Sequence, residues 1–264
     1  MAIDLSRFSL ENRTAIITGG SGGIGRACAL AFARAGANVV VASLPPESIP
    51  PVVGEVEGLG VKAIGIAANV ADPVRVKSMI EQTSERFGRV DVLVNVAGGS
   101  YSRNPFMPEF NRAPLLDLDQ KDFMTAYEVN TKTAFLCAKA AVPIMKAHGK
   151  GSIINIGSIS GRGTKREKPD MAAYGAAKAA VMNLTIHMAH QWGPEVRVNA
   201  IAPGIIDTPR PDGTGREQSF AEAVKNIALA RTGTADEVAS VALFLASDAA
   251  SYVNGAIIDV NGGE

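Results

Sequence analysis

Tyr174 and Lys178 stand four residues apart in Tyr174-Gly175-Ala176-Ala177-Lys178, a spacing that puts a phenol and an ammonium on one face of a helix, one turn apart. A cation beside a phenol favours the phenolate, so a group with an ordinary pKa of about 10 becomes a usable acid or base near neutral pH. Such a tyrosine donates a proton to a carbonyl or accepts one from an alcohol. The same pattern also arises by chance in helices, with a half-buried aromatic and a solvated lysine, so the elements around the pair decide its meaning.

Those elements alternate. Arg13 to Thr18 is a short apolar run that ends at glycines, and Gly23 to Ala35 then carries Ile24, Ala27, Cys28, Ala31 and Phe32 at helical spacing. The turn between them, Thr18-Gly19-Gly20-Ser21-Gly22-Gly23-Ile24-Gly25, lets a phosphate approach bare backbone N–H groups at a helix start. Further strands are expected at Asn38 to Ala42, Val61 to Ala67, Val90 to Asn95, Ser152 to Gly157, Val196 to Ala202 and Ala256 to Val260. Helices are expected at Val74 to Phe87, Asp119 to Ala147, Tyr174 to Trp192, Glu217 to Ala230 and Ala235 to Ser247. Continuous apolar strands alternating with helices predict one α/β domain over residues 1–264, a doubly wound parallel sheet of about seven strands covered on both faces. Pro45, Pro46, Pro50 and Pro51 predict a stiff, non-helical connection up to about Val52. The long connections from Gly98 to Pro114 and from Ile205 to Arg216 fall beyond strand ends, where ligands of such sheets sit.

The totals narrow the function classes. Lys and Arg together number 26, as do Asp and Glu, so nothing in the charge points to nucleic acid or an anionic membrane. No run of eighteen apolar residues and no signal-peptide-like stretch occurs, which makes a cytoplasmic protein the expectation. Cys28 and Cys137 lie in apolar helical patterns and read as reduced, buried thiols. His148, His187 and His190 have no acid or cysteine at ligand spacing, so no catalytic metal is expected.

Taken in order, Thr18-Gly19-x-x-x-Gly23-Ile24-Gly25, Asn95-Val96-Ala97-Gly98, Asn130, Ser158, Tyr174-x-x-x-Lys178 and Pro203-Gly204-x-Ile206-x-Thr208 resemble the motifs of the short-chain dehydrogenases/reductases, from about residue 10 to the C-terminus. The resemblance implies a nicotinamide-dependent oxidoreductase acting on a carbonyl or secondary alcohol. It implies Tyr174 as general acid/base, Lys178 as the residue that lowers its pKa and holds the nicotinamide ribose, and Ser158 as a hydrogen-bond partner of the substrate oxygen. Asn130 would interrupt its helix and use its amide to hold a water. Gly19, Ser21, Gly23, Ile24 and Gly25 would line the pyrophosphate, Asn69 and Val70 the adenine, and Asn95, Ala97 and Gly98 the adenosine ribose. Pro203 and Gly204 belong to the same rim, and Ile206 and Thr208 resemble positions beside the nicotinamide carboxamide. Asn95 and Pro203 also read as residues that merely fix the backbone.

Several positions depart from the family pattern: Val96 replaces a second Asn, Asn69 stands where Asp is common, and Thr164 to Lys168 lengthen the stretch between Ser158 and Tyr174. Lys165, Arg166 and Lys168 read either as a solvated loop or as an attractor for an anionic substrate tail. At the end of the second strand, Ser43 and Leu44 stand where an acid would bind the ribose of NAD. NAD(P)(H) is the expected cofactor, and a Ser43 hydroxyl with no acid beside it favours NADP(H). Tyr101, Phe106, Met107, Phe110, Ile205 and Ile206 suggest an apolar pocket for an alicyclic or steroid-like ketone or alcohol. A 3-oxoacyl thioester is the alternative substrate, and a catalytically silent dinucleotide sensor the alternative class. The family resemblance further implies a homotetramer.

Overall fold

The computed structural model describes residues 4–100, 111–163, 170–208 and 224–264. Seven strands form one parallel sheet in the order β3-β2-β1-β4-β5-β6-β9. They are β1 (Thr14–Thr18), β2 (Asn38–Ser43), β3 (Ala63–Ala67), β4 (Val92–Asn95), β5 (Gly151–Ile156), β6 (Val196–Pro203) and β9 (Ile257–Val260). Two further short strands, β7 (Ile206–Asp207) and β8 (Gly233–Thr234), pair with each other outside the main sheet.

Alternate residues of the same strand feed two separate cores. Ile17, Val39, Val41 and Val94 face one side with α1 (Gly23–Arg34), α2 (Ile49–Glu57) and α7 (Ala235–Ala246). Ile16, Val40, Leu93 and Ile153 face the other with α3 (Pro73–Phe87), α5 (Thr133–Ala147) and α6 (Ala172–Trp192). Both faces being covered, the central strands are mostly apolar; β1 and β5 are buried at every position. Cys28 and Cys137 lie in these cores as free thiols, pushed up to about 12 by burial, which leaves them protonated and unreactive.

Three elements differ from the reading of the sequence. The helix α2 begins at Ile49, so Pro50 and Pro51 sit in its first turn rather than in a non-helical connection. There a proline forfeits no hydrogen bond, because the first N–H groups of a helix have no intrahelical acceptor. The long helix expected from Asp119 begins after an Asp119 cap, as α4 (Gln120–Tyr127), and runs into α5 through a π-helical turn, Glu128–Lys132. The helix expected at Glu217 to Ala230 falls mostly outside the described residues; Val224 is helical, but the chain from 225 to 230 is turn or irregular. Among the described residues no helix is long and apolar enough to cross a membrane.

Candidate active site

Strand β5 delivers Ser158 just past its carboxyl end, and α6 returns Tyr174 and Lys178 on its first two turns beside it. The close approach depends on Gly175, where a Cβ would lie 2.8 Å from the Ser160 carbonyl oxygen, too near for any other residue. Ser158 caps the short turn Ile159–Arg162 by accepting the Ser160 N–H at 3.1 Å, and its hydroxyl hydrogen-bonds Tyr174. Lys178 is only 4% exposed; its Nζ donates to the Ile156 carbonyl at 2.7 Å and lies 5.8 Å from the centre of the Tyr174 ring. The sequence-predicted trio is thus brought together.

Its electrostatics differ from the expectation of a phenol pulled down by its lysine. Burial pushes Tyr174 above the ordinary tyrosine value, and the Ser158 hydrogen bond only partly offsets this. Burial also brings Lys178 down to about 8. Desolvation penalises the charged form of both groups, and the ammonium spends its hydrogen bond on a backbone carbonyl rather than on the phenol.

Asn130 lies in the π-helical turn, which bears out the expected interruption of the helix. Its side chain, however, is not free to hold water with its amide hydrogens. Nδ2 donates to Gly99 O at 3.0 Å and Ala126 O at 2.9 Å, while Oδ1 accepts the Gly99 N–H at 3.1 Å. The amide instead clamps the chain beyond β4 onto the helix, and both of its donors are consumed. Thr131 Oγ1 ties the same turn to α6 through the Ala177 carbonyl at 2.9 Å.

The glycine turn after β1 leads into α1 without any side-chain cap at Gly22, which leaves the helix's first N–H groups available to an anion. A Cβ on Gly25 would stand 2.1 Å from the Gly19 carbonyl oxygen, so the turn folds tightly over the helix start. That is a cradle shaped for a pyrophosphate and fits a dinucleotide. Gly19, Ser21, Gly23 and Ile24 belong to this turn, and Thr208 is drawn against it: its Cγ2 lies 3.3 Å from where a Gly23 Cβ would be. Ala97 and Gly98 follow β4, and Thr18 Oγ1 accepts the N–H groups of Val96 and Ala97 at 3.1 and 3.2 Å. Pro203 ends β6, and the Gly204 N–H donates to Val260 O at 2.9 Å. Asn69 is exposed and accepts the Ala71 N–H at 3.0 Å, whereas Val70 is buried in the core under α3.

Other predicted contacts turn inward. Asn95 is 5% exposed, and its Nδ2 donates to Asn155 Oδ1 at 2.9 Å, while Asn155 Nδ2 donates to Thr185 Oγ1 at 2.9 Å. This buried ladder across β4, β5 and α6 locks the site's floor, the backbone-fixing role weighed for Asn95. Ile206 is buried in the core beside α1. Ser43, also buried, meets Ser21 Oγ at 2.7 Å, and Ser48 joins them. Asn155, Thr185 and Ser48 went unnoticed in the sequence; Ser48 lies in the proline-rich connection and carries no motif. Tyr101, Phe106, Met107, Phe110, Lys165, Arg166 and Lys168 lie outside the described residues.

The family model described as "Enoyl-(Acyl carrier protein) reductase" matches residues 19–264. The chain is 37% identical over 255 residues to a 3-oxoacyl-[acyl-carrier-protein] reductase of Thermotoga maritima, covering 96% of this chain and 98% of the relative. It is 36% identical over 267 residues to a cyclohexanol dehydrogenase of Rhodococcus, covering 96% of each. A solved structure of 7 alpha-hydroxysteroid dehydrogenase complexed with NADH and 7-oxo glycochenodeoxycholic acid superimposes with a TM-score of 0.87, at 32% identity over 99% of this chain and 98% of that one. With its seven-stranded parallel sheet and its Ser158, Tyr174 and Lys178 gathered at one strand end, the chain belongs to the short-chain dehydrogenase/reductase family and is an NAD(P)-dependent enzyme of it.

Proposed function

We propose that this enzyme interconverts a hydrophobic alicyclic or steroid-like ketone and its secondary alcohol, with Ser158, Tyr174 and Lys178 as the catalytic residues and Asn130 as the residue that positions them. The observation that carries this is the joined Ser158–Tyr174 hydroxyl pair beside a buried ammonium. Bound at the glycine turn, the nicotinamide nucleotide supplies the hydride, or receives it in the reverse direction.

A carbonyl oxygen placed between the two hydroxyls takes a hydrogen bond from each, which stabilises the charge that grows on it. Because burial raises its pKa, Tyr174 holds its proton at neutral pH and releases it to that oxygen only as the alkoxide forms. The phenolate left behind lies beside Lys178, which is protonated up to about pH 8 and offsets the new charge. Alcohol oxidation runs the same steps backwards and gains with rising pH.

The cyclohexanol and hydroxysteroid relatives support the alicyclic substrate, and the Thermotoga relative supports a 3-oxoacyl thioester as the second reading. At the ribose end neither Ser43 nor Leu44 is an acid that would repel a phosphate, which leaves room for NADP(H) as a cofactor. A cytoplasmic homotetramer is part of the same proposal: an apolar groove of about 440 Å³ along α4, α5 and α6, with Met124 and Phe135 exposed in it, suits a second copy of the chain.

Replacing Tyr174 with Phe tests the assignment. Turnover should fall at least about a thousandfold, while titration of the purified variant with NADPH and NADH should give affinities close to those of the parent. Retained turnover would remove Tyr174 from the mechanism.

A further inference from the structure

The end of β2 carries a short run of hydroxyl groups with one fixed terminus. Ser43 Oγ lies 2.7 Å from Ser21 Oγ, either one being able to donate, and Ser48 Oγ lies 2.9 Å from Ser21 Oγ. Ser48 Oγ also reaches the Pro45 carbonyl at 2.6 Å, and that carbonyl accepts the Ser48 N–H at 3.1 Å as well. Both lone pairs of the carbonyl are therefore engaged, and it only ever accepts. Three hydroxyl hydrogens are shared along Ser43, Ser21 and Ser48: with Ser48 donating to Pro45 and Ser21 to Ser48, Ser43 donates to Ser21 and keeps its own oxygen open to a donor.

In a sheet of this kind the residue ending β2 meets the adenosine ribose, where a carboxylate accepts the 2′-hydroxyl of NAD and repels the 2′-phosphate of NADP. Here the strand ends in Ser43 and is followed by Leu44. No cation waits for a phosphate at Gly22, and the Arg26 guanidinium one turn further on is ion-paired with Glu55.

We propose that Ser43, Ser21 and Ser48 form a reversible hydroxyl relay that takes the place of that carboxylate and lets the enzyme use NAD(H) and NADP(H) alike. With a 2′-hydroxyl, every hydrogen points one way: ribose to Ser43, Ser43 to Ser21, Ser21 to Ser48, Ser48 to the Pro45 carbonyl. Bonds aligned in one sense reinforce each other and make Ser43 a better acceptor. With a 2′-phosphate, Ser43 turns its hydrogen outward to a phosphate oxygen, and Ser48 keeps its bond to Pro45. With the 2′-hydroxyl four hydrogens fill four contacts; with the phosphate Ser21 donates to Ser43, the Ser21–Ser48 contact goes without a hydrogen, and the bond to the charged phosphate oxygen offsets that loss. This inference rests on the reading of the glycine turn as the pyrophosphate cradle.

Fluorescence titration of the purified protein with NADH and with NADPH tests it directly. The parent should bind the two within about tenfold of each other, since the charge-assisted bond to the phosphate gains about what the idle Ser21–Ser48 contact loses. Ser48→Ala cuts the link to the Pro45 carbonyl, and should weaken NADH about fivefold while leaving NADPH unchanged. Ser43→Asp fixes an acceptor and should weaken NADPH by about a hundredfold while retaining NADH. More than about hundredfold discrimination by the parent, or equal weakening of both nucleotides in a folded Ser48→Ala variant, would overturn the relay and leave the oxidoreductase reading standing. Failure of the parent to bind either nucleotide would overturn both.

Discussion

The two ends of the parallel sheet are built from different materials. At the amino ends of the strands, charged side chains are matched. Asp91 is 7% exposed and receives two bonds from Arg89, at 2.6 and 2.7 Å, and the Thr14 N–H at 2.8 Å. Asp248 pairs with both Arg13 and Lys150, and Arg197 donates to the carbonyls of Leu245, Ser247 and Val253. A cavity of about 190 Å³ is lined by these cations and Asp91. At the carboxyl ends the site is made of hydroxyls, amides and bare backbone, and of the site residues named above Lys178 alone carries a full charge. Ion pairs satisfied by the fold close the amino ends, while the proposed chemistry uses one desolvated ammonium and a set of neutral donors. Burial of Lys178 strengthens the action of its charge at short range.

This contrast yields opposite expectations for substitutions at the two ends. The largest effect on nucleotide binding belongs to the cradle: Gly25→Ala places a Cβ 2.1 Å from the Gly19 carbonyl, and should weaken binding by about a hundredfold or more, measured by titration. At the other end, Asp91→Ala strips the acceptor from the buried Thr14 N–H and leaves Arg89 unpaired. It should cost about 3 kcal/mol, lowering Tm by about 6–12 °C in a chain of this size, with kcat close to the parent's in the folded fraction. A large loss of kcat in Asp91→Ala would erase the division between the ends.

The smallest effect is a pH dependence of stability. Lys178 is depressed from 10.5 to about 8, so below about pH 8 the folded state bears the full cost of a buried ammonium. Between pH 8 and 10.5 the unfolded chain binds more protons at this group than the folded one, and stability rises with pH there. Tyr174 is raised, so above pH 10 the folded phenol keeps a proton the unfolded chain loses, and its contribution to stability falls. The denaturation free energy of the parent relative to Lys178→Met should therefore climb by about 1 kcal/mol per pH unit between pH 8 and 10. A flat difference would mean that Lys178 is not desolvated.

Much of this was legible in the chain itself, because strand runs and glycine turns are local signals. The order of strands and helices, the turn after β1 and the pairing of Tyr174 with Lys178 follow from periodicity and spacing, while the approach of Ser158 to them is what the family resemblance implies. What was not legible depends on atoms brought together from afar. That Pro50 and Pro51 begin a helix, rather than delay one, is set by the packing of Val52 and Val56 into the core beside α1. The commitment of the Asn130 amide to Gly99 and Ala126, and of Asn95 to Asn155, is a matter of which acceptors lie within reach after folding. The rise of the Tyr174 pKa is likewise a burial effect, and spacing alone reveals only the neighbouring charge. Ser48 joins Ser21 only because β1 and β2 are adjacent.

Hydride exchange between a nicotinamide and a carbonyl at the carboxyl-end site is read from the nicotinamide absorbance of NADH and of NADPH during incubation with purified enzyme and a panel of alicyclic ketones, steroids and a 3-oxoacyl thioester. The reduced nucleotide should be oxidised with a bulky alicyclic ketone, faster than with the thioester. Tight nucleotide binding with no oxidation across the whole panel would contradict this exchange, and would mark the chain as a binder of dinucleotides that performs no chemistry on them.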